Sequence, residues 1–265
     1  MDSPHIQQAL ILLGMHRSMT SLVARTFQES GLFIGDDLIG AGPGNPDGHF
    51  ESSLIVDFHQ TVIRKHHLSS WWWGINESKA LQLSLSDQFL MPAKTILDSF
   101  PKDRLIGWKD PRTPFFIRGW QKLIPESRYV IIFRHPVACV HSLIRRSMRG
   151  RVLKFRPFLA TRYFNLWERT NRSLLSFYQE FQDRCVILHM PDHFFELEYQ
   201  DRLNHHLVEY WNLPLRRLDF KSTFKADYVN SPNTTPSLER LYRKRNKTIA
   251  IYEALCEAAS SHEFR

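Results

Sequence analysis

The sequence has few cysteines and no long apolar run. Its three cysteines are Cys139, Cys185 and Cys256. This odd number, without CxxC or metal-ligand spacing, indicates neither a disulfide framework nor a zinc site. The first apolar run, residues 9–13, is too short for a signal peptide or a membrane span, and no later run is long enough to span a membrane. We therefore expect a soluble protein of the reducing cytoplasm.

The sequence also lacks a Pro/Gly/Ser-rich linker, internal repeats and low-complexity segments, which predicts a single domain over residues 1–265. Hydrophobic residues make up 43% and aromatic residues 13%, which is enough apolar surface to offset the entropy of ordering the chain. Lys and Arg number 35 against 27 Asp and Glu, a net charge of +8. This charge favours an anionic partner, and nucleic acid, acidic lipid and a small polyphosphate all remain open.

Hydrophobic periodicity predicts alternating strands and helices. Strands are expected at residues 6–13, 104–108, 128–136 and 184–190, and helices at 20–30, 52–67, 137–146, 158–181, 201–211 and 238–259. The run RYVIIFRHP, at 128–136, is typical of a parallel strand buried on both faces. The Gly- and Pro-rich residues 31–51 are predicted to form a long loop. This alternation predicts an α/β fold with a doubly wound parallel sheet.

The segment GMHRSMTS, residues 14–21, joins the first predicted strand to the first predicted helix. Ligands of parallel sheets bind at the carboxyl ends of the strands, where the positive end of the following helix points outward. Arg17 adds a permanent positive charge, and Ser18, Thr20 and Ser21 add hydroxyl donors. The pattern predicts a phosphate or sulfate site, although Ser and Thr are also common helix caps.

This segment is not a nucleotide-binding loop of the Walker A type. That motif ends in Gly-Lys-[Ser/Thr], whereas the corresponding residues here are Met19, Thr20 and Ser21. No lysine is therefore available at that place for the β and γ phosphates of a nucleoside triphosphate.

A second turn of the same kind follows the strand at 128–136. The segment IIFRHPVACVHSLIRR runs from strand through turn to helix, with Arg134 at the end of the strand and Ser142 about two helical turns further on. A ligand with two separated anionic groups could bridge the two turns.

The two turns together resemble the donor-binding motifs of sulfotransferases. GMHRSMTSLV is similar to their 5′-phosphosulfate loop, often written RSGT, and RHPVACVHS is similar to their 3′-phosphate motif, RxPxxxxxS. NPDGHFE at 45–51 and GWKDPR at 107–112 resemble segments of bacterial members. The resemblance covers residues 9–146 and is specific as an ordered set.

The resemblance implies a P-loop-NTPase-like fold, a central parallel sheet flanked by helices, with 3′-phosphoadenosine 5′-phosphosulfate (PAPS) as the donor substrate. It also implies two sets of donor-binding residues. The 5′ phosphosulfate would lie against the loop that contains Gly14, His16, Arg17, Ser18, Met19, Thr20 and Ser21. The 3′ phosphate would be bound by Arg134 and Ser142.

Sulfuryl transfer should follow the physics of phosphoryl transfer, in which the enzyme aligns the reactants and stabilises the charge of a loose transition state. Arg17 is the candidate cation beside the leaving phosphate, and Lys109 is a second one. No acidic cluster suited to magnesium is visible, so no metal is predicted.

The acceptor hydroxyl must lose a proton during the attack. Some sulfotransferases use a glutamate that follows the 5′ loop, and Glu51 is similar in placement; Asp110 is the second candidate base. Each also has a structural explanation, Glu51 as an acidic residue at a helix start and Asp110 as the partner of Arg112. Weaker candidates are three histidines: His16, His49 and His59.

The sequence departs from the family pattern in two places. Met19 stands where sulfotransferases usually have glycine, and a positive φ there would strain a methionine or require a differently shaped loop. Near the C-terminus, LERLYRKRNK at 238–247 is basic but lacks the glycines of the donor loop in cytosolic animal members. A solvated helix face is favoured there over a contribution to donor binding.

Two further segments concern the acceptor. Core packing is favoured for Trp71, Trp72 and Trp73 over an apolar wall for a sugar or aromatic acceptor. RSMRGRVLKFR, at 146–156, would form a basic lid or a solvated turn. Neither segment identifies the acceptor.

The leading hypothesis is a PAPS-dependent sulfotransferase that acts on a hydroxyl of a carbohydrate or small-molecule acceptor. A P-loop-type nucleotide kinase is the alternative enzyme, against which the missing Gly-Lys argues. A non-catalytic anion- or nucleotide-binding protein is the alternative of another class. Nucleic-acid binding ranks last, because the charge is dispersed and no recognition motif is present.

Overall fold

The computed structural model describes residues 8–42, 48–68, 74–147, 157–191, 196–223 and 236–261. Within these ranges, four parallel strands form a central sheet. They are β1 (Ala9–Gly14), β2 (Ile106–Lys109), β3 (Arg128–Arg134) and β4 (Cys185–Met190), in the order β2-β1-β3-β4. The predicted α/β fold with a central parallel sheet is therefore confirmed. Because the strands are parallel, their carboxyl ends lie at one edge of the sheet, with the end of β1 between those of β2 and β3.

The sheet is buried on both faces, as its apolar strands predict. In β1, Ile11 and Leu13 belong to one hydrophobic cluster, whereas Leu10 and Leu12 belong to another. Successive side chains of a strand point to opposite faces, so a continuous apolar run needs a layer of helices on each side.

The helices on either side of the sheet account for both clusters. In the described residues they are α1 (Thr20–Glu29), α2 (Ser53–Lys65), α3 (Glu77–Ser84), α4 (Asp87–Ser99), α5 (Thr113–Leu123), α6 (Pro136–Ser147), α7 (Pro157–Glu180), α8 (Leu197–His205), α9 (Phe220–Thr223), α10 (Pro236–Tyr242) and α11 (Asn246–Ser261). Helices α1, α8 and α9 pack on one face and the remaining helices on the other. None of these helices is both long and apolar enough to cross a membrane.

The long loop between α1 and α2 is irregular in its described parts, as predicted, and two isolated bridges fasten it. Phe33 pairs with Ile106 at the edge of the sheet, and Leu38 pairs with Ser52 at the start of α2. Residues 43–47, the three tryptophans at 71–73 and residues 148–156 of the basic segment lie outside the described residues.

The single helix predicted over residues 238–259 is wrong, because the chain there forms α10 and α11 with a break between them. At the break, Arg245 turns towards α7, where its Nε and Nη2 atoms donate to Glu168 at 3.1 and 2.8 Å. The Arg245 guanidinium is therefore held against the protein in a partly buried ion pair instead of extending into solvent from a continuous helix.

Candidate active site

The turn after β1 has a tightly packed start. A Cβ atom added at Gly14 would lie 2.6 Å from the carbonyl oxygen of Ile132 in β3, so only glycine fits there without a shift. The turn then places Arg17 and Met19 in the left-handed region, with φ of 67° and 65°. Met19 is the N-cap residue of α1, and its carbonyl accepts from the N–H of Leu22 and Val23.

Met19 thus adopts the conformation that makes glycine usual at this place. Of the two outcomes that the sequence predicted, the structure has the strained residue and keeps the left-handed turn. A left-handed non-glycine residue costs roughly 1–2 kcal/mol. The side chain recovers part of this cost because Met19 packs, partly buried, against the cluster that contains α1.

The turns after β1 and β3 meet directly. The Nε atom of Arg17 donates to the Ser142 hydroxyl of α6 at 2.8 Å, and Nη1 of Arg134 donates to the backbone oxygen of Arg17 at 3.4 Å. The residues predicted to bind two ends of one ligand therefore lie next to each other.

Two side chains that the sequence did not indicate as part of the site, those of Cys139 and Trp167, support these turns. The thiol of Cys139, in α6, lies 3.4 Å from the Ser18 hydroxyl and 3.7 Å from the carbonyl oxygen of Arg17. Trp167 of α7 donates from Nε1 to the carbonyl oxygen of Arg134 at 3.2 Å. Ser18 and Cys139 are fully buried, so the hydroxyl of Ser18 braces the turn from inside the protein.

Positive charge is crowded around Arg17. Burial, and after it the guanidinium groups of Arg146, Arg145 and Arg134, lower the pKa of Arg17. Neighbouring cations destabilise one another unless an anion lies between them. The site is therefore electrostatically suited to a strongly anionic ligand.

The end of β2 brings a buried ion pair to the same edge. The Nζ atom of Lys109 donates to Oε1 of Glu51 at 2.5 Å and to the Ser21 hydroxyl of α1 at 3.4 Å. Burial lowers the pKa of Lys109, and the adjacent Glu51 carboxylate counteracts this effect. Lys109 thus connects Glu51, one of the two candidate bases, to the helix that follows the turn after β1.

Asp110, the next residue, lies in a different environment. Its Oδ2 is 2.7 Å from Nδ1 of His59, and its Oδ1 accepts from Nη1 and the backbone N–H of Arg112 at 2.6 and 3.0 Å. Trp120 of α5 donates to the other nitrogen of His59 at 3.0 Å. Burial alone would raise the pKa of Asp110, but these hydrogen bonds and the Arg112 charge hold it well below its ordinary range.

His16 lies in the turn after β1, among charges from the ends of β2 and α6. Burial, followed by the charge of Arg112, holds the pKa of His16 well below its ordinary value of 6.5. Lys109 and Arg146 act in the same direction, whereas Asp110 opposes them. The imidazole is therefore neutral at neutral pH.

The structure brings most of the predicted residues together. Those gathered at the carboxyl edge of the sheet are Gly14, His16, Arg17, Ser18, Met19, Thr20, Ser21, Glu51, Lys109, Asp110, Arg134 and Ser142. The basic segment at 238–247 is divided between α10, α11 and the break that Arg245 occupies. Among the described residues, no group of three His, Cys, Asp or Glu side chains could hold a metal ion.

Comparison with known proteins identifies the architecture. The family model described as "Sulfotransferase family" matches residues 9–209. The chain is similar to the sulfotransferase domain from the curacin biosynthetic pathway, with a TM-score of 0.51, 14% identity and coverage of 97% of this chain and 98% of that one. It is also similar to sulfotransferase STF1 from Mycobacterium tuberculosis H37Rv, with a TM-score of 0.52, 12% identity and coverage of 96% and 76%. No curated protein matches the sequence significantly.

Proposed function

The chain belongs to the sulfotransferase family, and from this premise we propose that it transfers a sulfuryl group from PAPS to a hydroxyl of a carbohydrate or small-molecule acceptor. The observation that carries the proposal is the contact between Arg17 and Ser142, which joins the turns after β1 and β3 into one cationic site. The donor has anionic groups on both sides of its ribose, and it therefore suits a site with two adjoining anion-binding turns.

The charges and donors of the site fit the donor substrate. The 5′ phosphosulfate would lie against residues 14–21, where the guanidinium of Arg17 and the start of α1 supply positive charge. The 3′ phosphate would be bound by Arg134 and Ser142. A bound polyanion would relieve the repulsion among the arginines that now lowers the pKa of Arg17.

Glu51 is the proposed general base. It is 8% exposed, and of its two carboxylate oxygens only Oε1 accepts a hydrogen bond from the described residues, from Lys109. As the acceptor oxygen attacks sulfur, the proton of the hydroxyl passes to the Glu51 carboxylate. The bond between sulfur and the bridging oxygen breaks, and its electron pair leaves with 3′-phosphoadenosine 5′-phosphate (PAP).

Arg17 and Lys109 are the proposed catalytic cations. The leaving phosphate gains negative charge, and Arg17 lies in the turn proposed to bind it. Lys109 reaches both Glu51 and Ser21, so its ammonium group lies between the base and the anion-binding helix. Fixed cations in a buried site need little reorganisation during the reaction, which makes their stabilisation of the transition state effective.

Asp110 is less suited than Glu51 to accept a proton. It is 1% exposed, and both of its carboxylate oxygens already accept hydrogen bonds. The groups that keep its pKa low also make it a weak base. Its contacts support a role in holding Arg112.

The donor assignment is tested by calorimetry on the purified protein. PAP is titrated without metal, and ATP with magnesium is titrated into a second sample. Tight metal-free binding of PAP supports the proposal, whereas preference for ATP and magnesium supports the kinase alternative. Transfer is tested with labelled PAPS and a panel of hydroxyl acceptors. Binding of PAP without transfer of sulfate to any acceptor would support the alternative of a non-catalytic binding protein.

The base is tested with two isosteric variants, Glu51→Gln and Asp110→Asn, assayed with the best acceptor of the panel. The Glu51 variant should lose about 10²–10⁴-fold in kcat, the usual contribution of general base catalysis. Wild-type kcat in Glu51→Gln would exclude Glu51 as the base.

We place this activity in the cytoplasm. The support comes from the thiols of Cys139 and Cys185, which are buried and form no disulfide in the described part of the chain. Unpaired cysteines are typical of a reducing compartment.

A further inference from the structure

We propose that His59 is a positioning residue of sulfuryl transfer, which acts through Asp110 to hold the guanidinium of Arg112 on the acceptor side of the site. This inference rests on the proposed function and adds to it one cation and two supporting side chains. Arg112 is the member that would contact substrate.

The hydrogen bonds fix both the orientation and the tautomer of His59. Trp120 donates its indole N–H to Nε2 of His59, so Nε2 carries no proton. The proton therefore lies on Nδ1, which donates to Oδ2 of Asp110 at 2.7 Å. The other oxygen of Asp110 accepts two hydrogen bonds from Arg112. Every polar atom of the His59 ring and the Asp110 carboxylate is thus engaged.

The side chains around the hydrogen-bonded series Trp120–His59–Asp110–Arg112 make it rigid. His59 and Trp120 are fully buried, and the ring of His59 stacks on Phe116 with centroids 5.2 Å apart. Hydrogen bonds in such an apolar environment are strengthened by the low local dielectric. Burying the charged carboxylate of Asp110 costs free energy. Apolar residues of similar volume in place of such a buried charged group often give a protein that is at least as stable, so stability alone does not account for this arrangement.

The sheet order places Arg112 on the acceptor side. The proposed donor spans the ends of β1 and β3, and β2 borders β1 on the side away from β3. Arg112 follows β2 and lies close enough to His16 for its charge to be the main electrostatic cause of the lowered pKa of His16. His16 immediately precedes Arg17, the proposed ligand of the phosphosulfate. Arg112 therefore flanks the sulfuryl group from the side away from the 3′ phosphate.

Arg112 also has unused hydrogen-bonding capacity. Its Nε atom is buried and has no acceptor among the described residues. Buried polar atoms are nearly always paired, so this N–H calls for an acceptor, and at the edge of a substrate site an oxygen of the ligand can supply it. A guanidinium that is fixed on one edge by Asp110 and open on another is suited to an oxygen of the sulfuryl group or of the acceptor.

Two substitutions of His59 separate its two hydrogen bonds. The amide of His59→Asn can replace the Nδ1 donor to Asp110, whereas the amide oxygen of His59→Gln can replace only the Nε2 acceptor for Trp120. We expect His59→Gln to lose roughly tenfold or more in kcat, with PAP affinity within about twofold of wild type. His59→Asn should stay within about threefold of the wild-type kcat.

A double-mutant cycle with Arg112→Gln tests whether His59 acts through Arg112. If it does, His59→Gln should cause no further loss of kcat once Arg112 is replaced. Losses that multiply in the double variant, or a wild-type kcat in His59→Gln, would overturn the proposal. If the His59 variants fold poorly, Asp110→Asn replaces His59→Gln in the double-mutant cycle with Arg112→Gln. A positioning Asp110 adds no loss to Arg112→Gln, whereas a base would multiply it.

A readout independent of activity is the Nε–H signal of Arg112 in protein labelled with ¹⁵N-arginine, assigned by its absence in Arg112→Lys. Protection from exchange should persist in His59→Asn and decrease in His59→Gln. Equal protection in both variants would overturn the positioning role. Failure of the wild type to bind PAP or transfer sulfate would instead refute the proposed function, so the two failures are distinguishable.

Discussion

The Nε atom of Arg17 donates a 2.8 Å hydrogen bond to the hydroxyl of Ser142, although the two residues are 125 positions apart in the chain. This contact combines the turn after β1 and the helix after β3 into one site. A single nucleotide could therefore contact both.

Removing either partner should weaken the binding of PAP. Ser142→Ala removes one hydrogen bond that involves a charged group, worth roughly 1.5–3 kcal/mol, so the dissociation constant should rise by about ten- to a hundredfold. Arg17→Ala and Arg134→Ala should each weaken binding at least as much. Calorimetry measures all three, with Arg25→Ala as the matched control because Arg25 pairs with Glu29 on the exposed side of α1. Unchanged affinity in Ser142→Ala would show that Ser142 does not contribute to donor binding.

Met19 provides a test of backbone strain in the turn. Replacement by glycine removes the left-handed penalty but also the packing of the side chain, whereas Met19→Ala removes the packing and keeps the penalty. Met19→Gly should therefore exceed Met19→Ala in free energy of unfolding by roughly 1–2 kcal/mol. Urea denaturation measures the difference. Equal stabilities would show that the strain at φ 65° is negligible.

Stability should fall on acidification because of His16. The folded-state pKa of His16 lies below its ordinary value of 6.5, so the unfolded chain binds the proton more readily. The free energy of unfolding should thus be highest above pH 6.5 and decrease as the pH falls from there towards the folded-state pKa. His16→Gln should reduce this slope in urea denaturation at pH 7.5, 6.5 and 5.5. An unchanged slope would mean that His16 does not contribute to it. Other histidines with lowered pKa values, His49, His66, His135 and His141, should maintain a residual slope.

The sequence was most informative where local pattern determines structure. The strand before Arg134 is a continuous apolar run, and both turns predicted to bind anions lie at junctions between strand and helix. Those signals span fewer than about ten residues, which is the range over which periodicity and turn chemistry act.

Contacts made by packing could not be predicted in this way. The hydroxyl of Ser18 was expected to donate to the ligand, but it is buried against Cys139, which is 121 positions away. The bond from Trp120 to His59 likewise depends on how α5 packs against α2. Helix α4 was not predicted, and it contains Pro92, a residue that usually ends helices. Pro92 lies on the exposed side of α4.

The ion pair between Lys109 and Glu51 gives the largest expected effect on stability. Lys109 is 2% exposed and Glu51 is 8% exposed, so Lys109→Met would leave a buried carboxylate without its cation. We expect a loss of about 3–5 kcal/mol in the free energy of unfolding. The double variant Lys109→Met/Glu51→Gln should recover most of this loss, because neither residue is then charged. The matched control is Arg25→Met, which breaks the exposed pair with Glu29 and should cost less than about 1 kcal/mol. The single variant Glu51→Gln completes the double-mutant cycle. Urea denaturation at pH 7 then compares the free energies of unfolding of the four variants with that of the wild type. A double variant as unstable as Lys109→Met would show that the loss comes from the packing of the lysine side chain and not from the unpaired charge.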